Sequence, residues 1–502
     1  MKYLLYQSSP LLFSYMSVLI DEAIELVEDG NEVIFVSCNG CMSHCFDNME
    51  GKKSRCFMCQ CAWKHAKKLL PSSVKIVNLK KYWNESRFSG TFDYCNEKQI
   101  KQIKYKGVNI GFSVLSSYIS ITRNAYPLID ENSKLYFDAL ISQTCKLTDA
   151  LDSIYSEYNP DKVLLFNGRL FEVKPAMDLA IAKSIDYSVF EVTGGYNSPF
   201  YKTEFHNTAP HGIAGNWDAC LRVWDRKDIP NFKKEEIAKS FFEKRRNGVP
   251  AGDKVYVKNQ KKGELPKNWD VCKKNIVIFN SSEDEFSSIG DEFEKYAVFN
   301  SQIEGIKYIL SEMSSEPEYH FYLRIHPNLS NIPYKYHTDL LNLPQMFKNV
   351  TVIPGTDSVS TYSLMEAAEK VVVFGSSMGV EAAYWDKPVI LLAGSFYYHA
   401  GLCYTVNNKS ELKKLLIQPL QSRKNINALK YAYYILYNNT ELKNNHLDIN
   451  WDIFSFCGKK IMNLHYLKIF GSSKLYALLL ALIHSVCKRF DNPKFILPIE
   501  EA

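Results

Sequence analysis

The sequence lacks the long apolar run that a membrane-spanning helix needs, which is about 18 residues or more. Its longest apolar stretch, residues 475–483, is too short to cross a bilayer. The start of the chain has one lysine, a very short apolar run and no cleavage site of small residues, so no secretory signal is expected. These absences predict a cytoplasmic protein without a transmembrane helix.

A strong charge of one sign is also missing. The 502 residues carry 60 Lys and Arg against 55 Asp and Glu, a formal net charge of +5. This charge is small for the length, and the sequence has no nucleic-acid recognition motif, so nucleic acid is not an expected partner. The hydrophobic share of 46% is typical of packed globular cores. The length predicts two or three domains.

Cysteine, by contrast, is abundant. Without an export signal, the thirteen cysteines should be reduced thiols or metal ligands. Six of them lie in one short segment: Cys38, Cys41, Cys45, Cys56, Cys59 and Cys61. They include two Cys-x-x-Cys pairs separated by 14 residues, which is close to the spacing of zinc sites. The pattern predicts either a structural metal site or a loop of unmetallated thiols. A catalytic metal is not expected, because no acidic or histidine partner completes a ligand set.

Short apolar strands alternate with helical segments in the first half of the chain, which predicts a parallel, Rossmann-like sheet. The predicted strands are residues 2–6, 32–38, 74–79, 162–166 and 187–192. Asn167 and Arg169 directly follow the fourth strand, and Glu191 lies near the end of the fifth. Because ligands bind at the carboxyl ends of parallel strands, Arg169 and Glu191 should either face one cleft or form an ion pair at the sheet edge.

The second half repeats this pattern from residue 275 onward. Four of its predicted strands end in polar residues: 276–279, 320–325, 350–353 and 371–374. The polar segments at their ends are residues 280–285, 324–328, 354–361 and 375–379. Since the carboxyl ends of parallel strands share one edge, these segments predict a single ligand site.

The most informative turn follows the strand at residues 371–374. Gly375 and two serines lead into a helical segment that runs from about residue 378 to 385. Small residues, backbone N–H groups and the positive end of a helix dipole suit an anion. Glu381, one turn further, is predicted to accept hydrogen bonds from the two hydroxyls of a ribose. The alternative is an ordinary turn of the kind that any α/β protein has.

Composition divides the chain into four predicted segments: a Rossmann-like domain at 1–230 with the Cys-rich loop 38–61, a charged linker at 231–274, a second Rossmann-like domain at 275–410, and a helical region at 411–502. Within the last segment, residues 468–490 are apolar and flanked by Lys and Arg. They predict a helix that either packs on the body of the protein or lies on an anionic membrane surface.

Three motifs of the second half resemble those of bacterial capsule and surface-polysaccharide biosynthesis proteins, including the 3-deoxy-manno-octulosonate (Kdo) transferase-like group. They are Arg324-x-His326-Pro327-Asn328, Ser358-x-x-x-Tyr362-Ser363-Leu364-Met365 and Gly375-Ser376-Ser377-x-Gly379-Val380-Glu381-Ala382. The similar strings of the first half are Asn167-Gly168-Arg169, Glu191 with Gly194-Gly195, and Cys38…Cys45…Asn48…Gly51…Cys56…Cys59. The resemblance covers most of residues 1–400.

This resemblance implies a GT-B glycosyltransferase, in which two Rossmann-like domains face each other across a cleft. The first domain, with its Cys-rich loop insertion, would bind the acceptor, and the second would bind a nucleotide sugar. The residues implied for the nucleotide sugar are Arg324, Ser360, Ser376, Ser377, Gly379 and Glu381. His326, if protonated, and the serines of this set would stabilise the leaving phosphate without a catalytic metal. Arg324 is also suited to pairing within the sheet.

On the acceptor side, Glu191 is the predicted catalytic base, and Asn167 and Arg169 are predicted to bind the acceptor. The resemblance implies a structural zinc site whose four ligands are Cys38, Cys45, Cys56 and Cys59. Cys41 and Cys61 would then be additional thiols.

The leading functional hypothesis is a glycosyltransferase that builds a capsule, O-antigen or other surface glycan at the cytoplasmic face of the membrane. Its partners would be a nucleotide-activated donor sugar and a glycan or lipid-linked acceptor, and catalysis would need no cofactor. Peripheral contact with the inner membrane is compatible with this hypothesis. The alternatives are a transferase of polyol phosphate from a CDP-linked donor and a non-catalytic nucleotide-sugar-binding protein.

Overall fold

The computed structural model describes residues 1–10, 13–85, 88, 90–193, 201–251, 256–257, 259–438, 440–447, 453–456, 459–460 and 474–491. The chain divides into two compact units. Unit 1 comprises Met1–Pro210 and Asn439–Ile499, and unit 2 comprises His211–Asn438 and Glu500–Ala502. The chain therefore leaves unit 1 and returns to it after completing most of unit 2.

The strands, in chain order, are β1 Lys2–Tyr6, β2 Glu32–Ser37, β3 Lys75–Asn78, β4 Lys162–Phe166, β5 Asp186–Thr193, β6 Tyr201–His206, β7 Lys274–Phe279, β8 Tyr319–Arg324, β9 Val350–Ile353, β10 Lys370–Val373, β11 Val389–Leu391, β12 Tyr404–Thr405, β13 Thr440–Glu441, β14 Asn445–Leu447, β15 Ile453–Phe456 and β16 Lys459–Lys460.

The helices are α1 Phe13–Glu28, α2 Lys53–Ala66, α3 Glu97–Lys101, α4 Ile110–Thr122, α5 Glu131–Tyr158, α6 Lys174–Ala182, α7 Ile213–Asp225, α8 Asn231–Arg246, α9 Glu283–Ile289, α10 Asp291–Lys295, α11 Gln302–Glu312, α12 Lys335–Leu341, α13 Leu343–Met346, α14 Thr361–Ala367, α15 Met378–Tyr384, α16 Ser410–Ile417, α17 Asn427–Tyr437 and α18 Lys474–Arg489.

Unit 1 is built on a seven-stranded sheet with the order β13-β6-β5-β4-β1-β2-β3. β1 to β5 run parallel, and β6 and β13 add to one edge in antiparallel fashion. On the central strand β1, Leu4 and Leu5 are both fully buried. Since successive side chains of a strand point to opposite faces, both faces of this sheet are covered, as is typical of parallel sheets.

Unit 2 is built on a six-stranded sheet with the order β12-β11-β10-β7-β8-β9, and all its strands run parallel. Val371, Val372 and Val373 of β10 are fully buried, so this sheet is also covered on both faces. The prediction of two Rossmann-like parallel sheets is confirmed.

Each sheet reverses its strand order at one point. In unit 1, β2 and β3 lie on one side of β1, whereas β4 and β5 lie on the other. In unit 2, β8 and β9 lie on one side of β7, whereas β10, β11 and β12 lie on the other. Open parallel sheets bind ligands in the crevice outside the strand ends at such a reversal. Ligand binding is therefore expected at the carboxyl ends of β1 and β4 and at those of β7 and β10.

The compact units differ from the predicted segments at the start of unit 2. α7 was assigned to the first domain, but the backbone N–H groups of Ile213 and Ala214 donate to the Glu292 carboxylate of unit 2 at 2.6 and 3.0 Å. α8 lies in the predicted linker, yet Phe241 and Phe242 are buried in the core of unit 2. Because α8 contains many charged residues, its overall composition does not show this apolar face.

The predicted helical region at 411–502 is likewise shared between the units. α16 and α17 belong to unit 2, where the Tyr434 hydroxyl of α17 donates to Asn216 of α7 at 3.0 Å. β13 to β16 and α18 belong to unit 1. In the part of the chain described above, no helix combines the length and apolar character that crossing a membrane requires.

Candidate functional site

The carboxyl ends of β7, β8 and β10 meet at the crevice of unit 2. Asn280, which follows β7, accepts a hydrogen bond through Oδ1 from the backbone N–H of His326, just beyond β8, at 2.8 Å. The Ser281 hydroxyl donates to the carbonyl of Phe374, which follows β10. Ser282 Oγ lies 3.4 Å from His326 Nδ1. The structure therefore brings three strand ends into direct contact, as the shared edge predicts.

His326 is half-buried at this junction, and its ring is held from two sides. Its Nδ1 accepts a hydrogen bond from the backbone N–H of Asn328 at 3.2 Å. The ring of Tyr256 lies edge-on to it, with 5.2 Å between the ring centroids. Because Nδ1 accepts this hydrogen bond, the proton of the neutral ring resides on Nε2. The imidazole can therefore present an N–H group to an anion in its neutral form as well as its protonated form.

The predicted serine ligands have different surroundings. Ser376 is buried, and its Oγ accepts a hydrogen bond from the backbone N–H of Met378 at 3.3 Å. Ser360 caps α14 by accepting from the backbone N–H of Ser363 at 3.1 Å. Both hydroxyls thus help to build turns. Ser377 is exposed at the start of α15, so it is the serine of this set that solvent reaches.

Gly379 lies on the first turn of α15, where the phenol of Tyr397 packs against it. A Cβ atom added at Gly379 would lie 2.3 Å from the Tyr397 hydroxyl oxygen and 2.9 Å from the ring carbon that carries it. The same hydroxyl donates to the carbonyl of Ser376. The glycine therefore leaves room for Tyr397 to pack against the turn and support it.

We expect Gly379→Ala to destabilise the protein by about 1–3 kcal/mol because of this overlap. The better helix propensity of alanine offsets at most about 1 kcal/mol. Thermal unfolding of Gly379→Ala, Tyr397→Phe and the double variant would measure the effect. The double variant should be more stable than the sum of the single changes predicts, since phenylalanine lacks the clashing oxygen; strict additivity would contradict this account.

Glu381 does not occupy the position that its predicted ribose contact requires. Its side chain is 1% exposed, and Oε1 accepts from Arg245 Nε of α8 at 3.0 Å. The other oxygen, Oε2, accepts from the Tyr362 hydroxyl. The prediction placed Glu381 at a ligand, but burial and these two partners make it the centre of an internal cluster that ties α15 to α8 and α14.

Arg324 is also internal, at the end of β8. It is 3% exposed, and its Nη1 and Nη2 donate to the carbonyls of Pro354 and Asp357, both at 3.0 Å. Burial lowers the pKa of the guanidinium to about 10. The structure therefore favours the alternative in which Arg324 acts within the fold, although its partners are backbone carbonyls of the loop after β9 and not an acidic side chain.

In unit 1, the reversal point brings together the residues that the sequence singled out. Asn167 follows β4 with φ of 63°, and its Nδ2 donates to Oε1 of Glu191 on β5 at 2.8 Å. Burial raises the pKa of Glu191 to about 7, against the lowering effects of the Asn167 hydrogen bond and the Arg169 charge. Burial raises the pKa of the Tyr15 phenol of α1, the nearby Glu191 charge raises it further, and Arg169 lowers it. The Tyr15 ring stacks on Phe166, with 3.5 Å between centroids.

Arg169 is oriented by two serines of α4. Its Nη1 donates to Ser116 Oγ at 2.8 Å and to Ser120 Oγ at 2.6 Å. Residues four apart lie on one face of a helix, so the two hydroxyls form a cradle for one guanidinium. The segment 107–117, which includes Ser116, is one that the sequence suggests for the lining of a cleft, whereas Ser120 and Tyr15 were not predicted. The four-residue spacing in α4 was the available signal for Ser120.

The cysteine segment is not the loop that was predicted. Cys56, Cys59 and Cys61 lie on α2. The Sγ atoms of Cys38 and Cys41 are 3.9 Å apart. Across all the residues with assigned structure, no group of three or more His, Cys, Asp or Glu side chains could hold a metal ion. The cysteines as placed do not fit the predicted zinc site, and we assign no step to a metal there.

A buried acid lies beside these thiols. Glu172 is 1% exposed, and its Oε2 accepts from the backbone N–H of Phe46 at 2.7 Å. Burial raises the pKa of Glu172 to about 8, although the Phe46 bond and a hydrogen bond from Ser8 lower it. No sequence motif pointed to this residue.

We expect Glu172 to make stability depend on pH. Its pKa is higher in the folded protein than the value of about 4.3 in an unfolded chain, so the folded state holds its proton more tightly. The stabilisation is therefore complete below about pH 4 and is lost as the pH rises through about 8. Glu172→Gln should flatten this decline in melting temperature, whereas Glu32→Gln, on an exposed acid, should leave it unchanged. An unaltered decline in Glu172→Gln would contradict the assignment.

Each of the two sheets carries polar residues where its strand order reverses, which is the place where open α/β sheets bind ligands. Residues 292–439 match the family described as "Capsule polysaccharide biosynthesis protein". This match confirms, over these residues, the predicted resemblance to capsule polysaccharide biosynthesis proteins. Among curated proteins, no sequence matches the chain.

Solved structures give further similarities. Thermosulfurimonas dismutans KpsC, a beta Kdo 2,7 transferase, is 18% identical, with 61% of this chain and 85% of that chain covered and a TM-score of 0.34. The beta Kdo 2,4 transferase of Thermosulfurimonas dismutans KpsC is 14% identical, with 59% of this chain and 84% of that chain covered and a TM-score of 0.36. UDP-GlcNAc 2-epimerase from Neisseria meningitidis, bound to UDP-GlcNAc, is 12% identical, with coverages of 87% and 94% and a TM-score of 0.25.

Proposed function

We propose that this protein transfers a sugar from a nucleotide-activated donor to a growing capsule, O-antigen or other surface glycan. The observation that carries the proposal is the position of the family match. Residues 292–439 include His326 and the turn at Ser376 and Ser377, which lie at the crevice of unit 2. The matched segment is thus the one that supplies the donor side of the proposed reaction.

On the donor side, the leaving group is a nucleotide phosphate whose negative charge grows as the glycosidic bond breaks. An N–H donor aimed at that charge lowers the barrier. His326 suits this role because its Nδ1 is engaged by the backbone, which directs the Nε2 proton outward from that contact. Ser377 is the exposed hydroxyl of the adjacent turn and would add a second donor.

On the acceptor side, the attacking hydroxyl must lose its proton. Glu191 suits this role because a pKa of about 7 leaves much of the group ionised at neutral pH and still basic enough to take a proton. Asn167 fixes one of its oxygens at 2.8 Å. Arg169, held by its two serines, would orient the acceptor.

A thermal-shift screen against CMP, CDP, UDP and GDP tests the donor side. One nucleotide should raise the melting temperature, since a ligand at about 100 times its Kd adds about 2.7 kcal/mol of stability. Sugar transfer from the matching donor should then be lost in His326→Ala. His320→Ala is the matched control, because His320 lies at the other end of β8 and bonds to Thr351 at 2.9 Å.

One outcome would contradict the proposed mechanism, and two others would contradict the proposed function. Transfer that survives His326→Ala would remove the mechanism. Nucleotide binding without turnover of any donor would favour a binding protein. Transfer of a polyol phosphate from a CDP-linked donor would favour a phosphotransferase.

The proposal extends to location. A lipid-linked acceptor is held at the inner leaflet by its lipid, so an enzyme that uses it benefits from peripheral contact with that membrane. We therefore propose that the protein works on the cytoplasmic surface of the inner membrane.

A further inference from the structure

The last turns of α18 and the residue that follows the helix, Phe490, expose a row of large apolar side chains. Leu482, Val486 and Phe490 follow one another at intervals of four residues and are 60%, 53% and 65% exposed. Ile483 lies beside them and is 38% exposed. Because residues four apart lie on one helix face, these four side chains form a continuous apolar stripe. Scattered apolar residues are common on protein surfaces, but a continuous stripe calls for an explanation.

The opposite side of α18 is fixed to α2. Asp491, just past the helix, accepts hydrogen bonds from the backbone N–H of Ser54 at 2.9 Å and from the Ser54 hydroxyl. Cys487 is half-buried, and it lies close enough to Cys61 of α2 for their thiols to interact electrostatically. The helix is therefore held by one face, which leaves the apolar stripe on a different face.

Basic side chains accompany the stripe. Lys488 and Arg489 are exposed on α18, and Arg489 lies seven residues after Leu482, at the edge of the stripe. Lys64 of α2 is exposed beside Cys61, which itself neighbours α18. The nearby acid, Asp491, is engaged by Ser54. An apolar stripe edged by cations is the pattern of a helix that lies in the plane of an anionic bilayer surface.

We infer that the stripe of α18, with Arg489 at its edge and the exposed Lys488 and Lys64 on the same two helices, docks on an anionic phospholipid bilayer. Leu482, Val486 and Phe490 would enter the boundary between headgroups and acyl chains, while the basic groups would remain among the headgroup phosphates. The inference depends on the proposed function in one respect: docking would bring the enzyme to a lipid-linked acceptor. It also identifies which surface of the protein makes the contact.

Charge favours a bilayer over a second copy of this chain as the partner that covers the stripe. A twofold self-contact places the same surface on both partners, so both copies would bring their exposed Lys488 and Arg489 to one interface. Like charges brought together in this way oppose association. A surface of phosphate groups, by contrast, complements them.

Co-sedimentation of the full chain with vesicles tests the inference. Vesicles of equal parts phosphatidylglycerol and phosphatidylcholine should bind the wild-type protein, and vesicles of phosphatidylcholine alone should bind it much less. Leu482→Ser/Val486→Ser/Phe490→Ser should weaken binding by about tenfold or more, because it removes most of the apolar insertion. Lys488→Gln/Arg489→Gln should weaken binding to the anionic vesicles by roughly fivefold for each charge removed.

Matched variants control for the loss of apolar area and charge in general. Leu135→Ser/Phe232→Ser/Met346→Ser removes three side chains that are 61%, 72% and 61% exposed elsewhere, and it should bind like the wild type. Lys98→Gln/Lys104→Gln removes two exposed lysines away from α18 and should also bind like the wild type.

Several results would overturn the inference. The wild type could fail to bind anionic vesicles, or the matched controls could lose as much vesicle binding as the α18 variants. Concentration-dependent dimerisation that the triple serine variant abolishes would also overturn it. Transfer to a soluble acceptor separates this failure from failure of the proposed function. The triple serine variant should keep wild-type activity on that acceptor, whereas a wrong functional assignment would leave the wild type itself inactive.

Discussion

Replacing Glu191 by glutamine should lower the rate of sugar transfer by about a hundred- to ten-thousand-fold, the range over which a general base contributes. Glutamine retains the shape and can keep a hydrogen bond with Asn167, so the variant loses chiefly the ability to take a proton. The rate is to be measured under saturating donor and acceptor.

The pH dependence gives a sharper test of the same residue. Burial raises the pKa of Glu191 to about 7, and only the ionised form can act as a base. In the wild type, kcat/KM should therefore rise about tenfold per pH unit below pH 7 and become constant above it. Glu191→Gln should show no such rise in its residual activity.

Loss of folding does not explain such a result. A carboxyl group whose pKa is raised by folding stabilises the protein at low pH and loses that contribution as the pH rises through about 7. Glu191→Gln should therefore be no less stable than the wild type at pH 8. Asp186→Asn, at the other end of β5, is the matched control and should keep both activity and pH profile. Activity of Glu191→Gln within a few-fold of wild type would exclude Glu191 as the base.

The largest loss of stability is expected from Glu381→Ala, which leaves the Arg245 guanidinium buried without its carboxylate. Breaking a buried ion pair in this way typically costs about 3–5 kcal/mol. Arg245 and Glu381 have side chains that are only 10% and 1% exposed, so solvent screens the pair weakly. The measurement is the thermal unfolding transition of unit 2, followed by calorimetry because a chain of two units need not unfold in one step.

Two further variants distinguish a structural role from a ligand contact at Glu381. Arg245→Met/Glu381→Leu removes both charges and should recover much of the lost stability, as replaced buried ion pairs often do. Lys239→Ala, at an exposed pair with Glu235 at 3.8 Å, should cost less than about 0.5 kcal/mol. If Glu381→Gln instead weakens nucleotide binding without lowering stability, that result would support the ribose contact predicted from the sequence.

The parts of the fold that were predictable are those that local pattern determines. The apolar run at Val371, Val372 and Val373 predicts a buried parallel strand, because no exposed polar face interrupts it. The proximity of Asn167 and Glu191 was predictable for a similar reason. Adjacent parallel strands place their carboxyl ends at one edge, so two polar residues at those ends must be neighbours.

The parts that were not predictable depend on partners far away in the sequence. Glu381 lies at a turn suited to a ligand, but its principal partner, Arg245, is 136 residues away on a helix whose composition is that of a linker. Arg169 finds its serines 53 and 49 residues earlier. Local spacing cannot show which of several polar groups a side chain will meet. Similarly, the many cysteines of α2 favoured a prediction of a loop, although the segment is a helix.

The return of the chain to unit 1 has a consequence for how the protein is made. β13 pairs with β6 at the edge of the first sheet, and the backbone N–H groups of Lys443 and Asn444 donate to the Asp21 carboxylate at 3.0 and 2.9 Å. Because a ribosome delivers these residues after all of β7 to β12, the amino-terminal half emerges with an open strand edge that its own residues do not cover. Translation of a fragment ending near residue 210 should therefore yield a product that associates through that edge, whereas the segment from 440 onward, supplied in trans, should protect it.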